Sequence, residues 1–235
     1  MTNANKTRTK LTIRLWERLF NLLGERTEAI CLRRDTLLEQ VIANEIDHLK
    51  NDLPTPNSSA ARAHIEHHFK LLLKSGSRQI SLAMSPDIAK QLETVCTEKN
   101  VPREAFLNRV ILLLVAQPAF IDDALFGLDS ADARQIRIEI KREYSLNMEL
   151  ANGFAPLPMI AEILVDPFWG YRAMMDKISK DTGETHTLYG KSLRGDNLIG
   201  LNCYLPDDRV PGTNAYLEAQ NRDKELLVQL GGTNL

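Results

Sequence analysis

Lys10-Leu11-Thr12-Ile13-Arg14-Leu15 and, 69 residues later, Gln79-Ile80-Ser81-Leu82-Ala83-Met84 decide how this 235-residue chain is read. Both stretches alternate polar and apolar side chains, the period of two expected of a strand with one buried face. After each, the period changes to helical spacing. Leu19, Leu22 and Leu23 follow the first, ahead of a break near Ala29–Cys31; the second leads into Ser85-Pro86-Asp87, with Ser at the N-cap and Pro at the first helical position.

The two copies, residues 8–50 and 77–116, align at this offset without a gap. Leu11 falls on Ile80, Ile13 on Leu82, Leu15 on Met84, Leu19 on Ile88 and Leu23 on Leu92. Beyond the break, Leu32 falls on Val101, Arg34 on Arg103, Asp35 on Glu104, Leu38 on Leu107, Val41 on Val110 and Ile42 on Ile111. Each copy reads as one strand and two helices. The second helix of copy one runs from about Arg33 to Lys50, and that of copy two opens at Val101-Pro102-Arg103-Glu104. A lone unit of about 40 residues buries too little apolar surface and leaves its strand unpaired. Two units solve both problems if the strands pair antiparallel over four helices, with the apolar run Val110–Val115 enclosed beneath.

These residues, above all LTIRLWERLFNLL with LRRDTLLEQVIANEI and QISLAMSPDIAKQLE with VPREAFLNRVILLL, resemble the ribbon-helix-helix superfamily of DNA-binding proteins, to which the Arc and MetJ repressors belong. The resemblance covers about a third of the chain. It implies a two-stranded antiparallel ribbon in the DNA major groove, with outward side chains reading base edges and helix N-termini clamping phosphates. If Leu11, Ile13 and Leu15 face the core, Lys10, Thr12 and Arg14 face out, and Gln79, Ser81 and Ala83 do so on the second strand. Lys and Arg suit guanine, Gln suits adenine, Ser and Thr either partner, while Ala offers only an apolar contact. Lys6 and Arg8 before the first strand, Arg78 at the edge of the second, and Arg33, Arg34 and Arg103 at the starts of the second helices are the expected phosphate contacts. No acidic residue occurs among the first 16.

The expected organisation is copy one in residues 1–50, a linker with a helix in 51–77, copy two in 78–116 and an accessory domain in 117–235. Asn51–Ser59 reads as a loop and Ala60–Lys74 as a helix. Together they reach on the order of 60 Å, enough for the second strand to return and pair with the first within one chain. Such a pseudo-dimer would read an asymmetric site; a homodimer pairing each strand with its own mate would read a palindrome. The fold class expected is mainly α with a two-stranded antiparallel ribbon, in tandem ribbon-helix-helix units plus a small α+β C-terminal domain. In that last part Ala131–Ala151 reads as helix or strand. Pro156–Ser179 reads as a helix broken at Asp166-Pro167, Leu198–Leu201 and Cys203–Leu205 as strands, and Tyr216–Leu230 as a helix. The Phe168, Trp169, Tyr171 cluster reads as core.

Catalytic and metal chemistry finds little support. His64, His67 and His68 share a helical face able to hold zinc, but no cysteine lies close in sequence, and a solvated or partly packed face is the favoured reading. Gly190-Lys191-Ser192 resembles the end of a phosphate loop, yet Thr185 stands where that loop needs glycine. His186, Ser192 and Asp196 lack the surroundings of a hydrolase nucleophile. No catalytic residue, metal or cofactor is therefore expected. Three cysteines without CxxC spacing and a polar N-terminus fit a reduced cytoplasm. The longest apolar run, Val110–Ala116, is too short for a membrane span.

The net charge of −2 conceals two unlike halves. Residues 1–116 carry 17 basic and 13 acidic side chains, net +4; residues 117–235 carry 12 and 18, net −6. A basic reader of double-stranded DNA joined to an acidic companion is expected, as a transcriptional repressor or autoregulator. Other possibilities are a plasmid conjugation or partition factor, an antitoxin-like protein whose acidic half binds a protein partner, and an enzyme targeted to DNA by its first half.

Overall fold

The two alternating stretches form β1 (Thr9–Trp16) and β2 (Ser77–Met84), which pair antiparallel within the chain. In the computed structural model, residues 8–29, 32–152, 166–191 and 193 are described, with the single positions 218, 221, 222 and 225. The register sets Thr12 opposite Ser81, its own counterpart at the 69-residue offset. Every other rung is then mirrored: Lys10 faces Ala83 while their counterparts Gln79 and Arg14 face each other. The ribbon therefore has a pseudo-twofold axis through the Thr12–Ser81 rung.

Four helices pack beneath its apolar face. They are α1 (Glu17–Ala29), α2 (Arg34–Asp52), α4 (Pro86–Lys99) and α5 (Arg103–Val115). Ile13, Leu15, Ile80, Leu82 and Met84 are buried against Leu19, Leu23, Leu38, Ile42, Leu92, Leu107 and Ile111. The expected apolar second helix lies at the centre: Ala105 to Leu113 of α5 are all buried. In α4, Ser85 caps the N-terminus through Ile88 N–H, Pro86 opens the helix, and Asn100 in the left-handed region ends it.

The connector folds as α3 (Ser59–Ser75), capped by Ser58, which accepts from Ala61 N–H at 3.1 Å. Gly76, at φ +69°, then turns the chain directly into β2, a geometry that favours glycine. α3 packs on α5 and β1, and buries His64 and His68. Two members of the three-histidine face are packed, the second form of that reading: His64 lies edge-on to Tyr189, and His68 stacks on Trp16 with centroids 5.9 Å apart.

Past residue 116 come α6 (Pro118–Ile121), a π-helical turn (Asp122–Phe126), α7 (Ser130–Asn152) and α8 (Trp169–Thr182). The ambiguous Ala131–Ala151 stretch is helical. Its alternating Gln135–Lys141 segment lies within α7, where Arg137 bridges both carboxylate oxygens of buried Asp122. Phe168 is buried, with Trp169 and Tyr171 packed against the same core that runs through the four central helices. Residues 156–165 and the strands expected at 198–205 lie outside the described residues. Of the Tyr216–Leu230 helix, Glu218, Asn221, Arg222 and Glu225 are described and helical. The described residues are mostly helical with one two-stranded antiparallel sheet, and among them no helix is long and apolar enough to cross a membrane.

Candidate nucleic-acid interface

The outward face of the ribbon carries three rungs: Lys10–Ala83, Thr12–Ser81 and Arg14–Gln79. All but Ala83 are exposed, and Ala83 is half-buried. Among the described residues, no side-chain hydrogen bond or ion pair engages Lys10, Thr12, Arg14, Gln79 or Ser81. The six residues expected to read bases therefore stand together on one surface, five of them with side-chain donors and acceptors available and Ala83 with only its methyl group.

A two-stranded ribbon has two outer edges whose N–H and C=O groups need partners. Here the second helices supply them, each across to the other copy's strand. Asp35 accepts from Ala83 N–H at 3.1 Å, and its counterpart Glu104 accepts from Arg14 N–H at 2.9 Å. Glu39 accepts from Ser85 N–H at 2.8 Å, and its counterpart Asn108 accepts from Trp16 N–H at 3.1 Å. Arg34 donates to the Ser81 carbonyl at 2.9 Å, and Arg103 to the Thr12 carbonyl at 3.4 Å. Three pairs of contacts thus obey the same 69-residue offset. Asn108, fully buried, also donates to the Arg14 and Glu104 carbonyls.

These bonds give Arg34 and Arg103 a structural role beside any phosphate contact. Arg34 also pairs with Asp35 at 2.9 Å and Arg103 with Glu93 at 3.1 Å. Arg8 pairs with Glu39 and donates to the Ala83 carbonyl at 2.6 Å, so it braces the start of the ribbon. Arg78 stacks its guanidinium on Phe20, 4.4 Å from the ring centre. Arg33 is exposed and held by no side-chain partner among the described residues. Lys6 lies outside them.

The second helices begin without side-chain caps: the N-cap residues are Arg33 for α2 and Pro102 for α5. Uncapped first-turn N–H groups and the helix dipole together favour an anion. At the α2 end, Arg8, Gly24, Arg33, Arg34, Asp35 and Ala83 border an open depression of about 510 Å³.

A second polar cluster joins the C-terminal half to α2. Buried Glu45 pairs with Arg172 of α8, which also binds Asp166, and accepts from the Tyr189 hydroxyl at 2.6 Å. Tyr189 N–H donates to Asp52 at 2.9 Å, and Arg109, buried in α5, donates to the Lys191 carbonyl at 3.0 Å. Burial pushes the Glu45 and Asp52 carboxyls above the usual range against the pull of Arg172, and raises the Tyr189 hydroxyl well above its own. Donor atoms of Glu45, His48 and Asp166 lie within 4.8 Å of one another, but both carboxylates are committed to Arg172. Of the hydrolase-like trio, His186 is described, and Ser192 and Asp196 lie outside the described residues. Its backbone N–H donates to Ser179.

Sequence reasoning placed the outward residues but missed Asp35, Glu104, Glu39 and Asn108 as edge partners. The repeat held a signal for two of them, since acid falls on acid at 35 and 104. Comparisons with family models, with curated proteins and with solved structures return no match.

Proposed function

We propose that this chain is a tandem ribbon-helix-helix protein that binds duplex DNA, with β1 and β2 inserted together in the major groove, and acts as a transcriptional repressor or autoregulator. The observation that carries this reading is the ribbon's outer face: Lys10, Thr12, Arg14, Gln79 and Ser81 stand unengaged on a backbone held from behind at both edges. A two-stranded ribbon fits the major groove, and these side-chain types match its donor and acceptor pattern. The uncapped starts of α2 and α5 flank the ribbon where phosphates would run. A net charge of +4 on residues 1–116 favours a polyanion, and the acidic remainder limits nonspecific association.

Titration of a random duplex pool by fluorescence anisotropy at several salt concentrations tests the reading. Log affinity is expected to fall linearly with log salt, by nearly one unit for each phosphate neutralised. Salt-independent association, or none at all, removes DNA as the partner.

A further inference from the structure

The two ends of the ribbon differ in what they present. At one end Arg14 and Gln79 share a rung. Both can form two-pronged hydrogen bonds, Arg to guanine and Gln to adenine. At the other end Lys10 faces Ala83, a point charge beside a methyl group. The flanking helix starts differ in the opposite sense. The open depression at the α2 start is lined by Ala83 and lies at the Lys10–Ala83 end, with Arg8, Arg33 and Arg34 around it. At the α5 start, Pro102 stands in place of Arg33 and Ser77 in place of Arg8. Glu93 stands in place of Gly24 and takes the Arg103 guanidinium. The end rich in base-reading groups thus offers Arg78 and Arg103 to the backbone, where the far end offers Arg8, Arg33 and Arg34 around an open depression.

Resting on the DNA reading above, we infer that the ribbon engages duplex DNA in a single orientation. The Arg14–Gln79 end discriminates bases, and the end bordered by Arg8, Arg33 and Arg34 grips phosphates without regard to sequence. Four residues separate the two end rungs, about 13 Å of strand or roughly four base-pair steps, so the two ends meet different bases. The site recognised is then asymmetric: well specified over one half and degenerate over the other.

Selection of bound duplexes from a random pool, repeated with variants of the full chain, tests this. Wild type is expected to select a non-palindromic sequence. Arg14→Ala and Gln79→Ala should each relax preference at neighbouring positions of the same half, lowering discrimination about 5- to 100-fold. Arg14→Lys keeps the charge but not the fork, so it should relax the same positions with the salt slope unchanged. Arg33→Ala should leave the selected sequence intact and lower the salt slope by about one. A palindromic selected sequence, or altered base preference in Arg33→Ala, overturns the polarity while leaving DNA binding standing. Absence of salt-dependent duplex binding by the wild-type chain overturns both. Thermal midpoints matching wild type establish that each variant is folded.

Discussion

Copy one and copy two keep the same skeleton and spend their differences elsewhere. Where a residue holds a strand edge, its counterpart does the same job with a related group: Asp35 with Glu104, Arg34 with Arg103, Glu39 with Asn108. Where a residue faces outward or borders a helix start, the counterparts diverge: Lys10 with Gln79, Arg14 with Ala83, Arg33 with Pro102, Gly24 with Glu93. Where the contact is buried, as between Asn108 and Trp16 N–H, leaving the backbone group unpaired costs about 1–3 kcal/mol. Outward groups carry no such penalty, so they are free to differ. Among these positions, divergence falls on groups that hold no strand edge.

Exchanging a residue for its counterpart probes this contrast. The largest effect is expected from Glu45→Leu, since the counterpart of Glu45 is Leu114. It strips buried Tyr189 of its acceptor and Arg172 of a partner, and should cost about 3–5 kcal/mol in denaturant unfolding. Loss within 0.5 kcal/mol would make the C-terminal attachment incidental.

Asn108→Glu is expected next, at about 2–3 kcal/mol. It gives copy two the side chain of Glu39, but in a fully buried position where a charge has no water. The reverse change, Glu39→Asn, falls on a side chain that keeps 22% of its exposure and should cost less than 1 kcal/mol. Equal costs would break the claim that the two positions share a role but not an environment.

The connector introduces a third asymmetry. Trp16 ends β1 under α3, where its counterpart Ser85 caps α4. His68, stacked on Trp16, is buried, and that burial lowers its pKa from 6.5 to about 4. The folded state disfavours the proton that the unfolded chain accepts, so stability should fall as pH drops from about 6.5 toward 4. The loss should be at most about 3 kcal/mol, measured by thermal melts across that range and flattened in His68→Met. An unchanged slope in that variant would place the sensitivity elsewhere.

Gly24→Ala should have the smallest effect, and a favourable one. A Cβ at Gly24 meets nothing within 4 Å, so helix propensity alone should add about 0.5–1 kcal/mol. Destabilisation there would show that the depression beside α2 needs the glycine for space.

The ribbon and its outward residues were legible because strand alternation and a 69-residue offset are both written in side-chain polarity. Leu11, Ile13 and Leu15 fixed which way Lys10, Thr12 and Arg14 face. Burial of His64 and His68 was not legible: their helical face becomes internal only because α3 meets α5, β1 and Tyr189, three elements distant in sequence. Glu45 was equally opaque, since Arg172 and Tyr189 lie 127 and 144 residues away. Arg34 and Arg103 were placed at the helix starts as expected, yet their bonds to strand carbonyls depend on the exact height of the ribbon over those helices.

That both strands belong to one polypeptide makes closure of the ribbon a first-order event. Two separate chains would have to find each other, and the assembled fraction would fall on dilution. Here a single molecule carries both strands of the ribbon, so the outward face closes without a second copy.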